Sequence, residues 1–176
     1  MAKQPRPETD EVELLFTSGL HGWSRLRLEV DEKHHVAAIS HVFCEPLLLL
    51  TNWCEAVLRV EPAELRLPDE PGATLIASEP NRERQHLTEV RIIELRGHDD
   101  DAGAGQEIIR FQTRTALLVT LLLNQLAKVR DLGLVGDYAV KREPFPHPEF
   151  EQLLRTWKGS RFNPANGVRR SIPSSA

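Results

Sequence analysis

Cysteine is scarce in this 176-residue chain, where Cys44 and Cys54 are the whole complement. Two thiols make no disulfide framework. If residues 46 to 59 form one helix, Cys54 lies almost three turns beyond Cys44, at ~1.5 Å of rise per residue, roughly twice the separation a disulfide spans. Free thiols fit a reducing compartment. Long apolar runs are missing as well. The longest, Ala116 to Val119 and Leu121 to Leu123 interrupted by Thr120, falls far short of the ~20 residues of a membrane span. The amino terminus, MAKQPRPETDE, has no apolar stretch of the secretory kind. Together these absences predict a cytoplasmic protein with no membrane partner. Excess positive charge is lacking too: 22 Lys and Arg stand against 26 Asp and Glu, a formal net charge of −4. Nucleic acid is therefore not the expected partner, since phosphate binding relies on a basic surface. The sign suits solubility and a basic protein partner.

The recurrent catalytic signatures are also absent. There is no G-x-G-x-x-G, no Walker loop and no G-x-S-x-G elbow around Ser24 or Ser40, and GAG at 103–105 lacks the strand-to-helix context of a phosphate cradle. Asp99, Asp100 and Asp101 crowd three carboxylates into a glycine-flanked loop, but without the alternating spacing and distal glutamate of a calcium loop. His41, Cys44 and Cys54, with His34 and His35 nearby, offer zinc-type donor atoms without the paired knuckles that bring such ligands together. No metal and no cofactor are expected.

What the chain does contain is pattern. Thr113 to Leu134, TRTALLVTLLLNQLAKVRDLGL, reads as a helix with Thr115 placed to cap its first turn and Gly133 to close its last in the left-handed conformation. Thr120, Asn124, Lys128 and Asp131 fall along one narrow polar stripe, so most of the helix must be covered. Ser24 to Val30 alternates apolar and charged residues, the signature of a half-buried strand. Strands are also expected at Val12 to Phe16, His35 to Phe43, Ala63 to Leu67, Ala73 to Ser78, His86 to Leu95 and Glu107 to Thr113. Val90, Ile92, Ile109 and Phe111 are the inward candidates of the last pair. Glu45-Pro46 opens a helix with proline in the first turn, where its missing amide costs little. Pro148 to Lys158 makes a short helix carrying Phe150, Leu153, Leu154 and Trp157 on one face. RGHDDDAGAGQ, residues 96 to 106, reads as a long solvated hairpin tip.

The order β-β-β-α-β-β-β-β-α-α predicts an α+β fold, mainly an antiparallel meander sheet with two to three helices packed on one face. A single domain over 11–158 is expected, with flexible tails at 1–10 and 159–176, the latter carrying Arg161, Arg169 and Arg170. Lys141, Arg142 and His147, around EPFPHPEF, read as a proline-guided connection that docks the last helix.

Three segments carry a family resemblance: GLHGWSRLRL from Gly19, HVFCEPLLLL from His41, and GDYAVKREPFPHPEFEQLL from Gly136. They resemble small bacterial α+β proteins of the kind that includes toxin-immunity proteins. The resemblance runs from Gly19 to Val60 and again from Gly136 to Leu154, and it transfers no catalytic or binding residue. It implies a non-catalytic protein-binding module, a toxin-neutralising or adaptor protein; by its charge, and not by the resemblance, the cluster Asp99, Asp100 and Asp101 is the expected partner-binding patch. The alternative is a small-ligand-binding protein or enzyme with a site assembled around His21, His41 and Cys44. A third possibility is a homo-oligomer using surplus apolar side chains such as Leu49 and Trp53.

Overall fold

A computed structural model describes residues 8–97, 100–140 and 142–168. Asp99, Lys141, Arg169 and Arg170 lie outside the described residues. The strands are β1 (Val12–Ser18), β2 (Trp23–Val30), β3 (Lys33–Ser40), β4 (Ala63–Asp69), β5 (Gly72–Pro80), β6 (Leu87–Leu95) and β7 (Gln106–Arg114), and the helices are α1 (Pro46–Leu58), α2 (Thr115–Leu132), α3 (His147–Gly159) and α4 (Pro164–Val168). The fold is α+β, and every strand pair within its sheets is antiparallel. The meander is divided at α1 into a three-stranded sheet, β1-β2-β3, and a four-stranded sheet, β4-β5-β6-β7.

Alternation sets the inner face of the first sheet. Leu14 pairs with Leu28 and Phe16 with Leu26, all buried, while Leu15 and Arg27 pair on the outer face. In the second sheet Leu65, Ile76, Val90, Ile92, Ile109 and Phe111 are buried and join the same apolar cluster as the first sheet. Helices α1, α2 and α3 complete that cluster through Leu47, Leu50 and Trp53, through Leu118, Leu122 and Leu126, and through Phe150 and Leu153. Burying these side chains, at ~1.5–3 kcal/mol each for full burial, is what holds the helices to the sheets. Trp53 is only 3 % exposed, whereas Leu49 is half-buried.

Several local expectations are corrected. Thr115 does not cap α2: the cap position is Arg114, without a side-chain bond, and the Thr115 hydroxyl pairs with that of buried Thr88 at 2.8 Å. Gly133 is right-handed at φ −60°, and the glycine of this segment with positive φ is Gly136, at +50°. β3 stops at Ser40, leaving Val42 and Phe43 in the following loop. The acidic loop is more than a solvated tip. Ala102 packs against a small second cluster of Ala73, Leu75, Ile93 and Leu95 on the opposite face of the second sheet. A side chain at Gly105 would fall 2.5 Å from Ile93 and 2.6 Å from Leu95, so only glycine allows this approach.

The fold also extends past 11–158. The Thr9 amide donates to Gln112 O at 2.9 Å, and Arg84 pairs with Glu8 at 2.6 Å. At the other end Phe162 packs against the main core, and the Asn166 side-chain Nδ2 donates to Ser160 O at 2.8 Å.

Candidate partner-binding end

Three connections meet at one end of the first sheet: the β1–β2 turn, the β3–α1 loop and the long α2–α3 segment. Backbone chemistry ties them together. The His41 amide donates to Gly22 O at 2.8 Å, and Arg142 Nε donates to Ser18 O at 3.2 Å. The Leu47 amide, in the first turn of α1, donates to both carboxylate oxygens of Glu143 at 3.3 Å. Glu45 makes no side-chain cap, so a residue 96 positions away answers the unpaired amide at this helix start. In the β1–β2 turn His21 and Gly22 take positive φ, and a side chain at Gly19 would meet Trp23 O at 2.2 Å.

This end concentrates exposed apolar side chains. Of the nine large hydrophobic residues exposed among those described, seven belong to it: Leu20, Trp23, Val42, Phe43, Leu134, Val135 and Val140. Val42 is 79 % and Leu134 80 % exposed. The other two, Leu15 and Val36, flank Arg27 on the outer face of the first sheet. Clustered exposure of this kind departs from the scattered single apolar residues of an ordinary surface.

His41 and Cys44 share one open groove here, of about 590 Å³, with Glu45, Leu49, Arg66 and Pro68. His21 is exposed on the neighbouring turn and does not line it. Burial and the nearby Glu143 carboxylate push the Cys44 thiol up to about 11, and burial holds His41 below its usual range. His41 Nε2 pairs with the buried Ser24 hydroxyl at 2.8 Å. With its thiol held protonated, Cys44 is not the thiolate that a cysteine nucleophile needs. Buried Cys54 is likewise held protonated.

The acidic loop is placed elsewhere. Asp100 accepts the Gly97 amide at 2.8 Å and its carbonyl accepts from Arg66 at 2.9 Å, while Asp101 is exposed. A second carboxylate group, invisible in sequence spacing, gathers in a cleft of about 630 Å³ where β3 meets the β4–β5 turn. His35 bonds Thr74 across the two sheets at 2.9 Å, and the Ser40 hydroxyl donates to Glu70 at 3.1 Å. Asp69 is raised by burial and by Glu94 and Glu70, whereas burial lowers His35 against the opposing pull of Glu94 and Asp69. Among the described residues no group of three or more His, Cys, Asp or Glu is arranged to hold a metal.

Sequence reasoning missed the apolar end because it assigned Val42 and Phe43 to a strand and Leu134 to a helix. The available signal was Pro46 shortly after HVF and the two glycines of LGLVG, which favour early ends for both elements. No helix among the described residues is long and apolar enough to cross a membrane. Comparison with protein-family models, with curated proteins and with solved structures finds no match to the chain.

Proposed function

We propose that the chain is a non-catalytic protein-binding module, a toxin-neutralising or adaptor protein of a bacterial cytoplasm, that receives its partner on the three-loop end. The observation that carries this reading is the placing of seven exposed apolar side chains on, or at the strand end beside, loops already tied to one another by hydrogen bonds. Such a surface is pre-organised, so binding orders little new chain and keeps most of the energy of desolvating its apolar groups. Val42, Phe43 and Leu134 are the expected anchors, because a few central apolar residues carry most of an interface's free energy. The net charge of −4 would steer a basic partner toward the molecule.

The experiment uses the full chain as bait beside its Val42→Asp/Leu134→Asp variant. The wild type should retain one protein at equimolar ratio, and the variant should bind that purified protein at least ~30-fold more weakly, as expected when two anchors are charged. Both chains should melt at the same temperature, since neither residue is in the core. Absence of an equimolar partner, or equal affinity of the two chains, rejects the reading.

A further inference from the structure

A pocket lies beneath the α2–α3 segment and shares Leu134 and Arg142 with the three-loop end. It encloses about 290 Å³ between the last turn of α2 and the residues that lead into α3. Its apolar walls include Val129, Leu134 and Phe145, and Arg130, Arg142, His147 and Glu143 also line it.

Both guanidinium groups are fixed before any ligand arrives. Arg142 lies over the Tyr138 ring at 3.9 Å from its centroid, and Arg130 over the Phe150 ring at 5.3 Å. Arg142 donates Nε to Ser18 O and Nη1 to Tyr138 O, which leaves Nη2 without an acceptor among the described residues. Arg130 donates Nε to Asp131 at 2.8 Å, leaving both of its terminal nitrogens. Stacked, partly engaged guanidinium groups lose little further freedom on taking up an oxyanion, which is the geometry that favours arginine over lysine at such sites.

Two negative features on the same wall are already answered. The α2 carbonyls of Val129, Asp131 and Leu132 accept from the amides of Gly133, Leu134 and Val135. Glu143 points both oxygens at the Leu47 amide, and burial, reinforced by Glu45, raises its carboxyl toward the neutral form.

We propose that this pocket binds a small molecule that carries one oxyanion, a carboxylate or a phosphate, on a compact apolar body. Arg130 and Arg142 hold the oxyanion, and the apolar wall takes the body. The size fits: a dry cavity of roughly 150 Å³ accommodates benzene, and this one has room for a ring and its charged group. The site does not depend on the protein-binding reading, and its test involves no partner protein.

The test is isothermal titration of the full chain with phenyl phosphate, benzoate, inorganic phosphate and benzyl alcohol. One of the two aromatic anions should bind saturably at a 1:1 ratio, and the tighter one identifies the headgroup. Inorganic phosphate and benzyl alcohol each lack one half of the recognition and should bind at least about tenfold more weakly. Arg130→Met and Arg142→Met should each weaken the anion by about tenfold or more. Arg27→Met removes the same charge from the outer face of the first sheet and should leave affinity within about twofold. Arg142→Met also removes the bonds to Ser18 and Tyr138 that hold the segment, so Arg130→Met decides, since the Arg130 side chain hydrogen-bonds only to adjacent Asp131 among the described residues. The site is overturned if neither aromatic anion gives saturable heat by about 10 mM. Equal binding of either control compound, or an Arg27→Met loss equal to that of Arg130→Met, overturns it too.

Discussion

Val60 is the residue at which backbone and side chain disagree most openly. Helix α1 ends in a Schellman arrangement, with the Val60 amide donating to Val57 O and the Glu61 amide to Ala56 O, both at 3.0 Å. That geometry requires the left-handed φ of 65° that Val60 adopts, at a position glycine usually fills. A β-branched residue there costs ~1–2 kcal/mol, so Val60→Gly should stabilise the chain by ~1 kcal/mol, read as a rise in the urea midpoint. A lower midpoint would show that the Val60 side chain contributes more packing than its backbone loses. Glu143 supplies a second test at this scale. Its folded pKa of about 7 lies above the unfolded value of 4.5. Between those values the folded chain keeps a proton that the unfolded chain has released, so raising the pH through the window lowers stability. Wild-type stability should therefore fall from pH 5 to pH 8 by ~1 kcal/mol more than that of Glu143→Gln, a figure discounted for partial solvent exposure. Denaturant melts at the two pH values measure the difference, and parallel losses in both chains would assign the pH response to other groups.

Between elements, the decisive interaction is how α2 finishes the free edge of β1. Gln125 accepts the Phe16 amide at 3.1 Å, and Lys128 donates to Phe16 O and to Gln125, each at 2.6 Å. Burial lowers the Lys128 ammonium below its usual range, which fits a charge held against an edge rather than free in water. Lys128 belonged to the polar stripe legible in sequence, but periodicity could show only that it was polar, not that it answers a strand two sheets' worth of chain away. Removing it exposes an unpaired backbone edge, a template for pairing with another chain. Lys128→Met should cost ~1–3 kcal/mol and promote concentration-dependent association, visible by light scattering. Unchanged stability together with a strictly monomeric variant would mean that the edge is protected by something else. The polar stripe of α2 is thus partly a strand cap, with Asn124 and Asp131 its exposed members.

Across the whole molecule, one cluster of buried side chains draws on both sheets and on α1, α2 and α3. Shared burial couples the sheets, although no strand ladder joins β3 to β4. Far-UV circular dichroism and tryptophan fluorescence should therefore report one coincident unfolding transition, since Trp53 is buried in the common core and Trp157 packs against it. Phe150, at 1 % exposure, packs where α3 joins that core, so Phe150→Ala should cost ~3–5 kcal/mol across the entire transition. Two separated transitions, or loss of helical signal alone in the variant, would show that the elements unfold independently.

Element type and inner faces were legible in the sequence because period and burial are local consequences of one another. Leu26 and Leu28 alternate with charges, and Phe150, Leu153, Leu154 and Trp157 recur at helical spacing, so each segment specifies which side must be dry. Punctuation was harder. Thr115 resembled a cap but is buried against Thr88, and the true supplier of the amide acceptor for α1 is Glu143, from the far side of the chain. The division into two sheets, the apolar loop end and the stacked arginines arise from contacts between residues tens of positions apart. No periodicity encodes such contacts. Local pattern determined what each segment would hide, and tertiary packing alone decided which leftover groups came to lie together, because only closure of the chain brings distant side chains within bonding distance.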